Sequence, residues 1–186
     1  MRKLTSVVLT TLFLSQPLFA AGGYSSGTSS ASTNASKDPF AKVYQLIEAK
    51  SVGADCILLI AAALSEKRCK ELASFAKKLG LDVLLEVHNK EEIDSHLIEA
   101  VDIVGVNNRN LHDFTTNIDT SIALAQYIPD KFVKISESGI TQAEHIVKLK
   151  KHGFKGFLIG THFMSHTQPN QACAKLISEV KRLERL

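Results

Sequence analysis

Five short apolar runs, most of them separated by stretches of helical periodicity, constrain the fold of this chain more than any other feature. The runs are CILLI (56–60), DVLLEV (82–87), VDIVGV (101–106), FVKIS (132–136) and GFLIG (156–160). They are nearly continuous in Val, Ile and Leu, as strands covered on both faces are. SEKRCKELASFAKKLG (65–80) puts Cys69, Leu72, Phe75, Ala76 and Leu79 on one stripe, with Ser65 as N-cap and Gly80 as C-terminal stop. NKEEIDSHLIEA (89–100) opens on Asn89, with acidic residues in the first turn where the helix dipole favours them. TQAEHIVKLKKHG (141–153) has Thr141 and Glu144 at capping-box spacing. A helix is also expected around 40–52, and another over 170–186.

Strict alternation of strand and helix implies an α/β fold with a parallel sheet and helices outside. A doubly wound open sheet and a (βα)8 barrel compete. No G-x-G-x-x-G follows any strand, which weakens the dinucleotide-binding version of the open sheet. Polar residues near the strand C-termini favour the barrel. Only about five strands are clear, with at most the tail of another near 36–40, so the expected fold is an incomplete (βα)8 TIM-type barrel.

The N-terminal segment is of a different kind. Arg2, Lys3 and the apolar LTSVVLTTLFLSQPLFA read as a signal peptide over 1–20, with Ala20 or Ala21 at the cleavage site. Its Ser, Gln and Pro, and its short length, argue against a membrane span. Residues 21–36, rich in Gly, Ser and Thr, read as a flexible linker. The globular part is expected over 37–186. A formal charge of +3, with no basic cluster, gives no argument for a nucleic-acid partner. Cys56, Cys69 and Cys173 have neither disulfide nor zinc spacing, and Cys56 reads as a core residue.

In a parallel barrel the strand C-termini open onto one face. On it should lie Glu86, then Asn107 and Arg109, then Glu137, Ser138 and Gly139, then Gly160 and Thr161. Such a set is costly as a core and fits a polar pocket for a charged, hydroxylated small molecule. Glu86 ends an apolar strand and suits a general base or acid; a structural pair with a lysine is the alternative. Arg109 could hold a substrate carboxylate, or order its loop through Asp113. The N–H groups beside Gly139 and Gly160 could bind phosphate, although a glycine after a strand can equally be a plain turn. His88, His112 and His162 lie near the same rim and read as surface or packing residues. No two have metal-ligand spacing, so no metal is expected.

GADCILLIAAAL, GLDVLLEVHN, VGVNNRNL, KISESGI and GFLIGTHFM, in this order and at these separations, resemble the indole-3-glycerol phosphate synthase family from about Gly53 to Leu183. The resemblance implies a carbon–carbon lyase of tryptophan biosynthesis. That activity closes the indole ring of 1-(2-carboxyphenylamino)-1-deoxyribulose 5-phosphate with loss of CO2 and water, and without a cofactor. It makes Glu86 the general base of the dehydration. Asn107 and Arg109 fall beside the anthranilate ring, and Asn107 joins Glu86 in the catalytic set. Glu137 falls on the substrate side, Ser138 and Gly139 in one phosphate loop, Gly160 and Thr161 in the other. Lys37, followed by Asp38, would be the general acid; a solvated lysine at a linker's end is the alternative. Nothing here resembles the family's first-strand glutamate and lysine.

Two functional readings follow. One is an enzyme acting alone or with a complementing N-terminal fragment. The other is an inactive, truncated or fused barrel fragment that at most binds phosphorylated ligands and could self-associate through its open edges. A functional signal peptide implies export, to the periplasm; the family resemblance implies the cytoplasm as the alternative.

Overall fold

The computed structural model describes residues 39–185. The expected signal peptide (1–20), the linker (21–36) and Lys37 lie outside the described residues. Helix α1 (Pro39–Ser51) precedes strand β1 (Cys56–Ile60). There follow α2 (Glu66–Lys78), β2 (Asp82–Val87), α3 (Lys90–His96), β3 (Ile103–Asn107), α4 (Asp119–Leu124) and β4 (Val133–Glu137). The chain continues through α5 (Ala143–Lys151), β5 (Gly156–Leu158), α6 (Thr161–Met164) and α7 (Pro169–Leu183). All neighbouring strands pair in parallel in the order β1-β2-β3-β4-β5. This is the expected incomplete barrel: each strand lies beside its predecessor, and the intervening segments cross back outside the sheet.

Period-two alternation divides the sheet into two faces. Ile57, Leu59, Val83, Leu85, Val87, Val104 and Val106 are buried in one cluster with Cys69, Leu72, Ala73 and Ala76 of α2. Each Val, Leu or Ile among them contributes about 1.5–3 kcal/mol on burial. The other face carries Leu84, Glu86, Gly105, Asn107, Ile135 and Glu137. On β1 this face is only half-buried, through Cys56, Leu58 and Ile60. Burial pushes the Cys56 thiol up to about 11, with the charge of Asp82 adding to it, so the group is held as a thiol.

Local signals placed several ends correctly. Ser65 Oγ accepts from the Arg68 N–H at 3.3 Å, and Asn89 Oδ1 accepts from the Glu92 N–H at 2.8 Å. Gly80, past the end of α2, has φ +69°, the left-handed conformation a glycine stop supplies. Other ends differ from expectation. Helix α3 stops at His96 rather than continuing to 100, because Leu97 turns extended and packs with Ile98 and Ala100 against the core. Helix α5 starts at Ala143, not after a Thr141 cap: Gln142 is the N-cap, and its side chain makes no capping bond, its amide lying 3.2 Å from His145 Nε2 instead. The capping box is therefore not formed; Ile140 is buried to 2% exposure, and the helix begins beyond it. Among the described residues, no helix is long and apolar enough to cross a membrane.

Candidate active site

Strand register brings the carboxylates together. Glu86 pairs with Gly105 across β2 and β3, and Asn107 pairs with Glu137 across β3 and β4. Glu86 and Glu137 therefore sit on the two strands flanking Gly105, on the same face. Asn107 Nδ2 donates to Glu86 Oε1 at 3.0 Å, which fixes the amide against the carboxylate. Both glutamates are buried, each residue only 7% exposed. The Glu137 carboxyl is pushed up to about 8, first by burial, then by the negative charge of Glu86 and a hydrogen bond with it. Glu137 Oε1 is buried and meets no hydrogen-bond donor among the described residues. An ionised Glu137 would leave that oxygen uncompensated, whereas the protonated form can donate to Glu86. The pair thus carries one acid and one base within a buried, polar spot.

A cleft of about 610 Å³ opens beside this pair, between the loops after β2 and β3. Its walls include His88, Glu92, Asn107, Arg109 and His112. Arg109 does not bond to Asp113. Its Nη1 donates to the Phe114 carbonyl at 3.2 Å, and its backbone N–H donates to Asn107 Oδ1 at 3.0 Å. Asp113 instead accepts from the Thr115 N–H and hydroxyl at 2.9 and 2.7 Å. The guanidinium faces the cleft with further N–H donors beyond the one bond to Phe114.

The two glycine-containing loops lie at adjacent strand ends, away from the cleft walls. The Ser138 N–H donates to the Leu158 carbonyl at 3.4 Å and so ties the end of β4 to β5. Ser138 and Gly139 have φ +67° and +71°. For Ser138 this left-handed conformation costs on the order of 1 kcal/mol. Gly139 is required on backbone grounds, and a Cβ there would stand 3.0 Å from the Thr116 Cβ. Gly160 is a different case: its φ is −105°, and a Cβ would meet nothing within 4 Å. A turn does not explain that glycine. Among the described residues, the Gly139, Gly160 and Thr161 N–H groups have no intramolecular acceptor. Gly160 and Thr161 are exposed.

Three features escaped sequence reasoning. His88 lies on the cleft wall with its Nδ1 3.3 Å from Glu92 Oε2, and its Nε2 3.4 Å from Glu86 Oε1 without a hydrogen bond to it. Gly105, read within an apolar run, leaves the space that the Glu137 carboxyl fills. Asn108 anchors the rim from behind. Its Nδ2 donates to Ser136 Oγ and the Ser138 carbonyl at 2.9 and 3.0 Å, and its Oδ1 accepts from the Ser121 hydroxyl at 2.8 Å. A signal for His88 was present, since positions 86 and 88 share one face of an extended chain. Among the described residues, no group of three or more His, Cys, Asp or Glu side chains is arranged to hold a metal ion.

Comparison with known proteins places this geometry. A sequence model of indole-3-glycerol phosphate synthase matches residues 26–176. Indole-3-glycerol phosphate synthase of Bacteroides thetaiotaomicron is 45% identical over 145 residues, which are 78% of this chain and 55% of that protein. The enzyme of the same name from Salinibacter ruber is 41% identical over 147 residues, 79% of this chain and 54% of that protein. The chain thus spans about half the length of the curated relatives it matches. Among solved structures, 3-hexulose-6-phosphate synthase of Salmonella typhimurium superimposes with TM-score 0.62 at 15% identity, covering 76% of this chain and 68% of that one. A mutant tryptophan synthase α-subunit of Pyrococcus furiosus gives TM-score 0.56 at 19% identity, covering 75% and 60%. At these identities the structural likeness shows the fold alone, a TIM-type barrel of which the described residues hold five strands. The family match covers most of the sequence, and the chain belongs to the indole-3-glycerol phosphate synthase family.

Proposed function

We propose that the chain is an indole-3-glycerol phosphate synthase-type lyase. It would close the indole ring of 1-(2-carboxyphenylamino)-1-deoxyribulose 5-phosphate with release of CO2 and water. The observation that carries this reading is the buried Glu86–Asn107–Glu137 cluster at the C-terminal ends of three consecutive parallel strands. Glu86, held in place by the Asn107 amide, accepts the proton lost in the dehydration. Glu137, kept protonated, donates to a substrate oxygen on the same side. Arg109 holds the anthranilate carboxylate through its cleft-facing N–H groups. The N–H groups of Gly139, Gly160 and Thr161, with the Ser138 and Thr161 hydroxyls, hold the phosphate. Lys37 supplies the general acid; the family match, which begins at residue 26, supports that assignment. The reading calls for no cofactor, as the family resemblance implies.

A second reading is a catalytically inactive barrel piece that at most binds phosphorylated ligands. The half-buried inner face of β1 is the observation that speaks for it. In this reading, and for full activity in the first, a complementing N-terminal fragment or a second copy covers the edges that β1 and β5 form in the sheet of the described residues. The family's chemistry supports a cytoplasmic location; a functional signal peptide over 1–20 would support export instead.

The test is indole fluorescence on mixing the purified full chain with the substrate, beside Glu86→Gln. Turnover by the unaltered chain, reduced at least about 100-fold in the variant, supports the lyase. Equal signals from the two proteins remove it.

A further inference from the structure

Two successive carbonyls at the end of β4 turn to the same neighbour. The Glu137 carbonyl accepts from the Asn108 backbone N–H at 2.9 Å, and the Ser138 carbonyl accepts from Asn108 Nδ2 at 3.0 Å. In a regular strand successive carbonyls point to opposite sides. The second should then have faced β5, where the Ser138 N–H already donates to the Leu158 carbonyl. The left-handed φ of Ser138, +67°, accompanies the reversal. A trans peptide is planar, and its C=O and N–H point in opposite directions. With the Ser138 carbonyl held by Asn108, the Gly139 N–H is directed away from Asn108. It meets no acceptor among the described residues. Gly160 and Thr161, whose N–H groups are in the same position, follow the next strand, β5.

The Asn108 side chain is itself locked by a closed ring of hydrogen bonds. Asn108 Nδ2 donates to Ser136 Oγ at 2.9 Å, the Ser136 and Ser121 hydroxyls are 2.7 Å apart, and the Ser121 hydroxyl donates to Asn108 Oδ1 at 2.8 Å. The Ser121 backbone N–H, in α4, donates to the same oxygen at 3.1 Å. Both amide hydrogens and both acceptor sites of Asn108 are thereby used. A flipped amide would set its NH2 against the Ser121 N–H and its oxygen against the Ser138 carbonyl, so one orientation alone fits. Ser121 and Ser136 are fully buried and Asn108 is 3% exposed, which keeps water from competing for these bonds. From this geometry we infer that Asn108 is a positioning residue for phosphate: by holding the Ser138 carbonyl it turns the 138–139 peptide over and presents the Gly139 N–H to the anion at the ends of β4 and β5. The inference rests on the phosphate-binding role proposed above for the Gly139 and Gly160 loops. Asn108 itself touches no ligand. It stabilises, from the helix-covered side of the sheet, a left-handed serine that a non-glycine residue otherwise disfavours.

The experiment uses the full chain labelled with 15N and 13C. A coupling across the hydrogen bond, from Asn108 Nδ2 to the Ser138 carbonyl carbon, reports the peptide's orientation with neither ligand nor turnover; its absence overturns the inference. Inorganic phosphate is then titrated into the unaltered chain, Asn108→Ala and Ser136→Ala, and the Gly139 and Gly160 amides are followed. Asn108→Ala should weaken phosphate binding about 10-fold and remove the Gly139 response while Gly160 still shifts. Ser136→Ala opens the same buried ring but keeps the bond to Ser138, so its phosphate affinity should stay within about twofold of the unaltered chain. Equal weakening in the two variants would make Asn108 a purely structural residue and overturn the inference. In the fluorescence assay, Asn108→Ala should raise KM about 10-fold and leave kcat within about threefold. The unaltered chain decides the matter even where Asn108→Ala does not fold. A Gly139 response to phosphate together with the coupling supports the inference. A response at Gly160 without one at Gly139 overturns it and leaves a phosphate site standing. No response at either glycine defeats the proposed phosphate site, and the inference with it.

Discussion

The Glu137 carboxyl occupies the space above Gly105 where any other residue would carry its Cβ. Gly105 thus acts as a gap in β3 through which β4 reaches toward Glu86 on β2. The strand order β2-β3-β4 would otherwise keep the two carboxyls apart, because neighbouring strands lie about 4.8 Å from each other.

Gly105→Ala should separate the pair. The new methyl collides with the end of a flexible side chain and approaches Leu84 Cδ1 to 3.1 Å. Moving Glu137 is the easier relaxation, so the sheet should persist at a cost of about 1–3 kcal/mol. Ring closure, by contrast, should fall by roughly 100-fold, because the acid is displaced from its partner. Thermal unfolding and turnover of the variant check both halves.

Stability should depend on pH through Glu137. Its folded-state carboxyl titrates near 8, raised above the ordinary value of 4.5 by burial and by Glu86. Between those values the folded chain holds a proton that the unfolded chain has lost. Stability from this group is therefore greatest in acid and declines as pH rises from about 4.5 to 8. Glu137→Gln should remove that decline and make the chain more stable than its parent at pH 9. Urea titrations at several pH values would show it; a parent and variant with parallel pH dependence would contradict it.

Much of this was legible in the sequence, and the rest was hidden for identifiable reasons. β1 and β2 fall on the residues expected, because both are short runs dominated by Val, Ile and Leu. The caps Ser65 and Asn89 act locally and could be read locally. Glu86, Asn107 and Glu137 were visible as polar ends of apolar strands. Gly105 and His88 were not, since their roles depend on which strand lies opposite and on Glu92 folding back from α3. Thr141 and Glu144 had the spacing of a cap, but Ile140 is anchored in the core and the helix starts later.

Gly160→Ala should separate a phosphate loop from a turn. The backbone there suits any residue and a methyl meets nothing, so thermal stability should be unchanged within about 0.5 kcal/mol. If the loop approaches phosphate closely, the methyl should raise KM about 10-fold or more with less effect on kcat. Gly139→Ala, at φ +71° and against Thr116, should destabilise the chain by about 1 kcal/mol or more in addition.

Asn108→Ala should loosen the rim without touching substrate. It leaves Ser121, Ser136 and the Ser138 carbonyl short of partners in a buried setting, at a cost of about 1–3 kcal/mol. Amide hydrogen exchange should rise at 136–140 before it rises elsewhere.

The central claim is that the rim residues of consecutive strands meet one ligand. The most direct measurement follows backbone amide resonances of the full chain during titration with indole-3-glycerol phosphate, the product of the proposed reaction. The account predicts that Glu86, Asn107, Arg109, Gly139 and Gly160 shift together along one saturating curve. Shifts confined to a single loop, or none at concentrations well above a millimolar, would contradict it.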